Sequence, residues 1–238
     1  MTQMNLSDKL RKLIHPILLK LLPKKDFEVQ LINEVPYVKG NKIYVMNHSN
    51  KHDGPVSCES IQEHVFLLVG KQALEFVDRI SFFLNGVVYV NRKDKESKRR
   101  GSEKILQILQ RGNSLLLCPE GTWNMTPSKP MLPLNWGVID LARKANVPII
   151  PLVIEYTPNL CLVKFGDPIY IDHDADKTEE IRHLEDVMAT LKWDIWESFP
   201  VEKRSERLKD EFELEMKKRV ADYPKLNFEY EMSVVRQR

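Results

Sequence analysis

Apolar and polar positions alternate in two rhythms along the chain. Short, continuous apolar runs fall at 42–47, 64–69 (HVFLLV), 86–91 (GVVYVN), 114–118 (SLLLC), 149–156 and 161–165. Between them, apolar residues spaced three and four apart predict helices over 55–63, 72–84, 95–111 and 136–146. Runs rich in Val, Leu and Ile, separated by helices, imply βαβ units and a parallel sheet buried on both faces. The expected fold class is therefore α/β: a single domain with a central, mostly parallel sheet flanked by helices. In such folds ligands bind beyond the carboxyl ends of the strands. His48, Arg92 and Glu120 each follow an apolar run, so the topology can bring them to one rim.

The two ends of the chain differ from this middle. Residues 5–22 place Leu6, Leu10, Leu13, Ile14, Ile17, Leu18 and Leu21 at helical spacing, with Lys9, Arg11, Lys12 and Lys20 off that stripe. Pro16 is expected to kink this helix or split it. A basic amphipathic helix of this kind lies in a membrane interface; the plainer alternative is a helix packed on the core. From Thr178 onward two charged helices are expected, at 178–198 and 202–221. Met188, Leu191, Ile195 and Phe199 stripe the first, while the mixed charges of the second suit a solvated face. The expected division is an amphipathic interface helix (1–25), an α/β domain (26–175) and a C-terminal helical extension (176–238).

Charge narrows the partners. Lys and Arg total 36 against 34 Asp and Glu, a formal net charge of +2, so no nucleic-acid partner is expected. Residues 1–25 nonetheless hold Lys9, Arg11, Lys12, Lys20, Lys24 and Lys25 against Asp8 alone, which suits an anionic membrane surface. Three scattered cysteines, Cys58, Cys118 and Cys161, make no disulfide framework and point to a reducing compartment. The chain has no apolar segment of spanning length, and its N-terminus lacks the pattern of a signal peptide.

The densest polar chemistry is in KIYVMNHSNKHDGP, residues 42–55. His48 and Asp53 are five positions apart, so on one helix they would point about 140° apart; they meet only across a turn. A strand ending near Asn47 and a helix opened by Gly54-Pro55 supply that turn. One ring nitrogen of the histidine can then take a proton from a hydroxyl while the aspartate holds the other. Alternatively Asp53 is a helix cap, or both histidines are surface residues. The His48/His52 spacing suits metal on a helix, but the glutamate of H-E-x-x-H is missing and Pro55 separates the pair from a shared helix, so no metal is expected. There is no G-x-S-x-G elbow.

Asn47, His48 and Asp53 form the pattern N-H-x4-D, which resembles the first motif of the glycerolipid acyltransferases, the family typified by lysophosphatidic acid acyltransferase. Gly86 to Arg92 (GVVYVNR), Pro119-Glu120-Gly121-Thr122 and Val147 to Pro151 (VPIIP) resemble its second, third and fourth motifs, in order. The resemblance spans roughly residues 40–155. It implies transfer of a fatty acyl group from a thioester, acyl-CoA or acyl carrier protein, to the hydroxyl of a lysolipid, foremost 1-acylglycerol-3-phosphate. His48 would be the general base and Asp53 its orienting partner, with His52 a bystander. Arg92 and Lys71 would contact an acceptor phosphate, and Glu120, Gly121, Thr122 and Trp123 would line the acceptor site. No cofactor is implied, and the enzyme would be peripheral on the cytoplasmic, inner face of a membrane.

Two departures bear on the acceptor. Trp123-Asn124 follows the third motif where a basic residue is usual, and Asn135-Trp136 precedes Gly137 where a lysine is usual. Indoles favour sugar or acyl surfaces over phosphate. A lysolipid or glycolipid acceptor without phosphate is therefore an alternative, as is a thioesterase using water, or a lipid-binding scaffold. The basic run Lys93, Lys95, Lys98, Arg99 and Arg100 suits anionic lipid or an acidic carrier protein, or simply a solvated helix start.

Overall fold

The structure, a computed structural model, describes residues 6–22, 25–70, 76–91, 93–126, 129–157, 159–198 and 210–221, with residues 229 and 233. Its strands are β1 (Glu28–Leu31), β2 (Ile43–Met46), β3 (Val65–Gly70), β4 (Val87–Val90), β5 (Ser114–Leu117), β6 (Ile149–Tyr156) and β7 (Leu160–Phe165). Its helices are α1 (Leu6–Lys20), α2 (Asp53–Ile61), α3 (Phe76–Asn85), α4 (Lys95–Gln110), α5 (Gly137–Ala145), α6 (Lys177–Glu197) and α7 (Glu211–Ala221). The strands form one seven-stranded sheet in the order β1-β7-β6-β2-β5-β3-β4. Every pairing is parallel except that of β6 with β7, a tight hairpin that returns β7 beside β1.

The central strands are apolar at every position because helices cover both faces. Along β2, Ile43 and Val45 enter one core cluster, while Tyr44 and Met46 enter the other, as strand alternation requires. The first face is covered by α4, α5 and α6 through Ile105, Ile108, Val138, Ile139, Leu184 and Met188. The second is covered by α2 through Val56, Cys58 and Ile61, with Leu19 of α1 and Phe82 of α3 at its margin. Gly86, between α3 and β4, has φ +89°, and a Cβ there would meet the Phe66 ring at 2.6 Å. Only glycine serves at this corner.

Helix α1 runs unbroken through Pro16, so the expected split does not occur. Its polar side holds the body. The buried Asp8 carboxylate accepts from Arg111 Nε at 2.9 Å and Asn113 Nδ2 at 3.0 Å. Arg11 donates to the Phe83 carbonyl at 3.3 Å, and the buried His15 ring meets His64 edge to face at 5.5 Å. Its apolar stripe faces outward: Leu10, Leu13, Ile17 and Leu21 are 54% to 74% exposed. Phe83 and Ile80 of the neighbouring α3 are exposed too, so the two helices share an apolar ridge. Exposed Lys9, Lys12 and Lys20 flank it. Among the described residues no helix is long and apolar enough to cross a membrane.

Candidate active site

Beyond Met46, at the carboxyl end of β2, the chain turns through residues 47–52 before α2 begins at Asp53. Asp53 does not use its side chain to cap that helix. The carboxylate turns back into the loop, where Oδ2 accepts the Ser49 N–H at 2.7 Å and the Asn50 N–H at 2.8 Å and lies 2.7 Å from His48 Nδ1. Oδ1 accepts the Tyr156 hydroxyl at 2.7 Å. A carboxylate only accepts, so Nδ1 carries a proton, and in the neutral ring Nε2 keeps its lone pair. No described residue hydrogen-bonds to Nε2. The His48 side chain is 27% exposed, while that of Asp53 is fully buried.

The His48 backbone is clamped from the third motif. Its N–H donates to Glu120 Oε1 at 2.9 Å, and its carbonyl accepts the Asn124 N–H at 2.7 Å. Glu120 Oε2 accepts the Leu132 N–H at 3.0 Å, so one buried carboxylate ties the loop to the segment before α5. Burial pushes the Glu120 carboxyl up to about 7 against the opposing pull of these two amides. Gly121 turns the chain at φ +68°, which a side chain would resist. Asn47 closes the other flank: its amide donates to the Ile154 carbonyl at 3.0 Å and accepts the Ile154 N–H at 2.7 Å. Lys192 of α6 donates to that same carbonyl at 2.6 Å and pairs with Glu155, which also accepts the Trp196 indole N–H at 2.7 Å.

The sequence-derived candidates divide three ways. His48, Asp53 and Glu120 come together through direct hydrogen bonds or one intervening backbone. Thr122 and Trp123 are buried beside them, the Trp123 ring meeting the His48 ring at 5.6 Å between centroids. Met216 and Val220 of α7 pack with Trp123 and Met125, so the C-terminal extension reaches the site. Lys71 and Arg92 lie outside the described residues. His52 is not part of the pair: its ring packs edge-on against Phe27, 5.3 Å away, and burial lowers its pKa. Trp136 stands exposed with Lys177 Nζ 5.3 Å from its ring. Two members of the basic run are paired within α4, Arg99 with Glu96 and Glu103 and Arg100 with Glu96. Tyr156, Lys192 and α7 are contributors that motif spacing did not indicate.

Thiol chemistry has no foothold beside the histidine. Burial raises Cys58 and Cys161 to about 12, and raises Cys118 well above its ordinary value with Asp53 and Glu120 adding to the effect. Thiolates, the reactive form, are thereby suppressed.

Fold and site together define a class: a three-layer α/β protein with a carboxylate-held histidine on the carboxyl rim of its sheet. The Acyltransferase family model matches residues 26–155, more than half of the chain, and the chain belongs to that family. Among curated relatives, it is 31% identical to the 1-acyl-sn-glycerol-3-phosphate acyltransferase of Escherichia coli (strain K12) over 124 residues, covering 50% of this chain and 49% of the relative. To the protein of the same name from Saccharomyces cerevisiae it is 26% identical over 149 residues, covering 58% and 46% respectively. The chain thus spans about half the length of the curated relatives it matches. The crystal structure of the 1-acyl-sn-glycerophosphate (LPA) acyltransferase PlsC from Thermotoga maritima superposes with a TM-score of 0.63 over 84% of this chain and 86% of that one, at 18% identity. At that identity the likeness is one of fold.

Proposed function

We propose that the protein is a lysolipid O-acyltransferase, moving a fatty acyl group from an acyl thioester to a lysolipid hydroxyl. The observation that carries this reading is the His48 ring, held at Nδ1 by the buried Asp53 carboxylate. Nε2 takes the acceptor hydroxyl proton, the oxygen attacks the thioester carbonyl, and the carbon–sulfur bond breaks as the departing thiol receives that proton from the imidazolium. Asp53 fixes the tautomer and stabilises the imidazolium. Neither metal nor acyl-enzyme enters this scheme. The names of the curated relatives support 1-acylglycerol-3-phosphate as acceptor. One observation favours an uncharged acceptor instead: the group against His48 is the Trp123 indole, packed in an apolar cluster.

The enzyme works at a membrane surface in this reading. The outward ridge of α1 and α3 enters the lipid interface while Lys9, Lys12 and Lys20 meet anionic headgroups, on the cytoplasmic face where thiols stay reduced. The deciding experiment offers the purified chain labelled acyl-CoA or acyl carrier protein with 1-acylglycerol-3-phosphate, with an uncharged lysoglycolipid, or with no acceptor. His48→Ala should remove transfer by about 10³-fold or more while leaving the protein folded. Wild-type turnover in His48→Ala would refute the mechanism, and release of free fatty acid as fast without acceptor as with it would make the protein a thioesterase.

A further inference from the structure

The two oxygens of Asp53 are unequally supplied. Oδ2 takes the donors of the loop itself: His48 Nδ1 and the Ser49 and Asn50 amides. Oδ1 takes the Tyr156 hydroxyl, from the far end of β6, 103 residues away. Three donors hold one oxygen in place; a donor on the second anchors the carboxylate plane at both ends and meets a buried acceptor that would otherwise be left unsatisfied.

The Tyr156 ring is itself well held. It pairs in register with Cys161 across the β6–β7 hairpin, and its ring and that of Phe27 meet in a T-shaped contact at 5.4 Å. Lys192 and Trp196 of α6 fasten the preceding residues, Ile154 and Glu155. Burial beside Asp53 holds the phenol far above its ordinary pKa, so it stays a donor. A phenol O–H on a carboxylate is a strong, charge-assisted bond. Tyr156 also lies one residue beyond the stretch matched by the family model, so family membership assigns it no role.

We propose that Tyr156 is a positioning residue of the reaction: its hydroxyl locks the Asp53 carboxylate in the orientation that directs Oδ2 at His48 Nδ1. It touches no substrate and acts only through Asp53. This rests on the reading of His48 as general base.

The test uses the full chain with a long-chain acyl-CoA and 1-acylglycerol-3-phosphate. Tyr156→Phe keeps the ring packed on Phe27 and deletes only the hydroxyl. Its kcat should fall about 10- to 100-fold, the range commanded by outer partners of an oriented histidine, while KM for either substrate stays within about twofold because no substrate contact is lost. In an Asp53→Asn background the same change should alter kcat by less than about twofold, since the hydroxyl reaches His48 only through that carboxylate and its contact with Cys161 lies off that path. Thermal unfolding confirms that each variant is folded. Wild-type kcat in Tyr156→Phe, or an equal loss in both backgrounds, would overturn the proposal while His48→Ala remains inactive. Full turnover in His48→Ala would instead overturn the general-base reading, and this proposal with it.

Discussion

Glu120 offers a prediction whose size follows from its surroundings. Its carboxyl is fully buried, and burial lifts its pKa from the ordinary 4.5 to about 7. Between those values the folded protein holds a proton that the unfolded chain has released. Stability therefore falls as pH rises through this window, by about 1.4 kcal/mol per pH unit. Over roughly 2.5 pH units the loss is about 3 kcal/mol, complete once the pH exceeds about 7. Glu120→Gln removes the titration and keeps the shape. The amide oxygen still accepts one of the His48 and Leu132 N–H groups, but its NH2 faces the other, a penalty of about 1–3 kcal/mol that does not vary with pH. The variant should thus be clearly weaker than wild type near pH 4.5 and close the gap by about 3 kcal/mol near pH 8. Urea unfolding followed by circular dichroism at several pH values, with both proteins in the same salt, measures that difference and cancels every other titrating group. Parallel stability curves would refute the reasoning, because they would mean that no proton is taken up at Glu120 on folding.

Two further outcomes follow from the packing. Leu13→Ala with Ile17→Ala removes carbon from the most exposed part of the α1 ridge, about 1.5 kcal/mol of lipid contact each. Binding to vesicles containing anionic lipid should weaken about 100-fold in sedimentation, with soluble folding intact; undiminished binding would place the lipid contact elsewhere. Gly86→Ala combines a disfavoured positive φ with a 2.6 Å approach to Phe66. A cost of about 3 kcal/mol, or a melting temperature lower by about 6–12 °C, is expected from calorimetry, and a shift under about 2 °C would show that the Phe66 ring yields freely.

Much of this architecture could be read from local pattern, for reasons visible in individual elements. Runs such as IYVM and SLLL are apolar at every position because the sheet is covered on both faces, so six strands stood out. The strand that escaped notice, Glu28–Leu31, lies at the sheet edge with mixed polarity and mostly exposed side chains. Helical spacing located α1 but carried no sign of which face the body takes. Asp8 and His15 settle that by burying polar groups and leaving the leucines outside. At the site, the loop and its aspartate are five residues apart and share one motif. Tyr156, Lys192 and the Ile154 partner of Asn47 are contributed by strands and helices about a hundred residues downstream, with no periodicity to announce them. Glu120 was visible as a motif residue, yet its work as a backbone clamp depends on where Leu132 folds back.

The staple between Asn47 and Ile154 closes over 107 residues of chain. A ribosome adding about 5–20 residues per second makes the histidine loop some 5–20 s before the strand that fixes it. Through that interval β2 lacks β6, and until β5 is made it lacks both neighbours, so an apolar edge stays open to a chaperone or to another nascent chain. The loop thus exists before the strand that fixes it. A slowed or truncated translation product lacking β6 would therefore present an apolar strand with one edge unpaired and a loop without its staple, and quality control would meet it in that state.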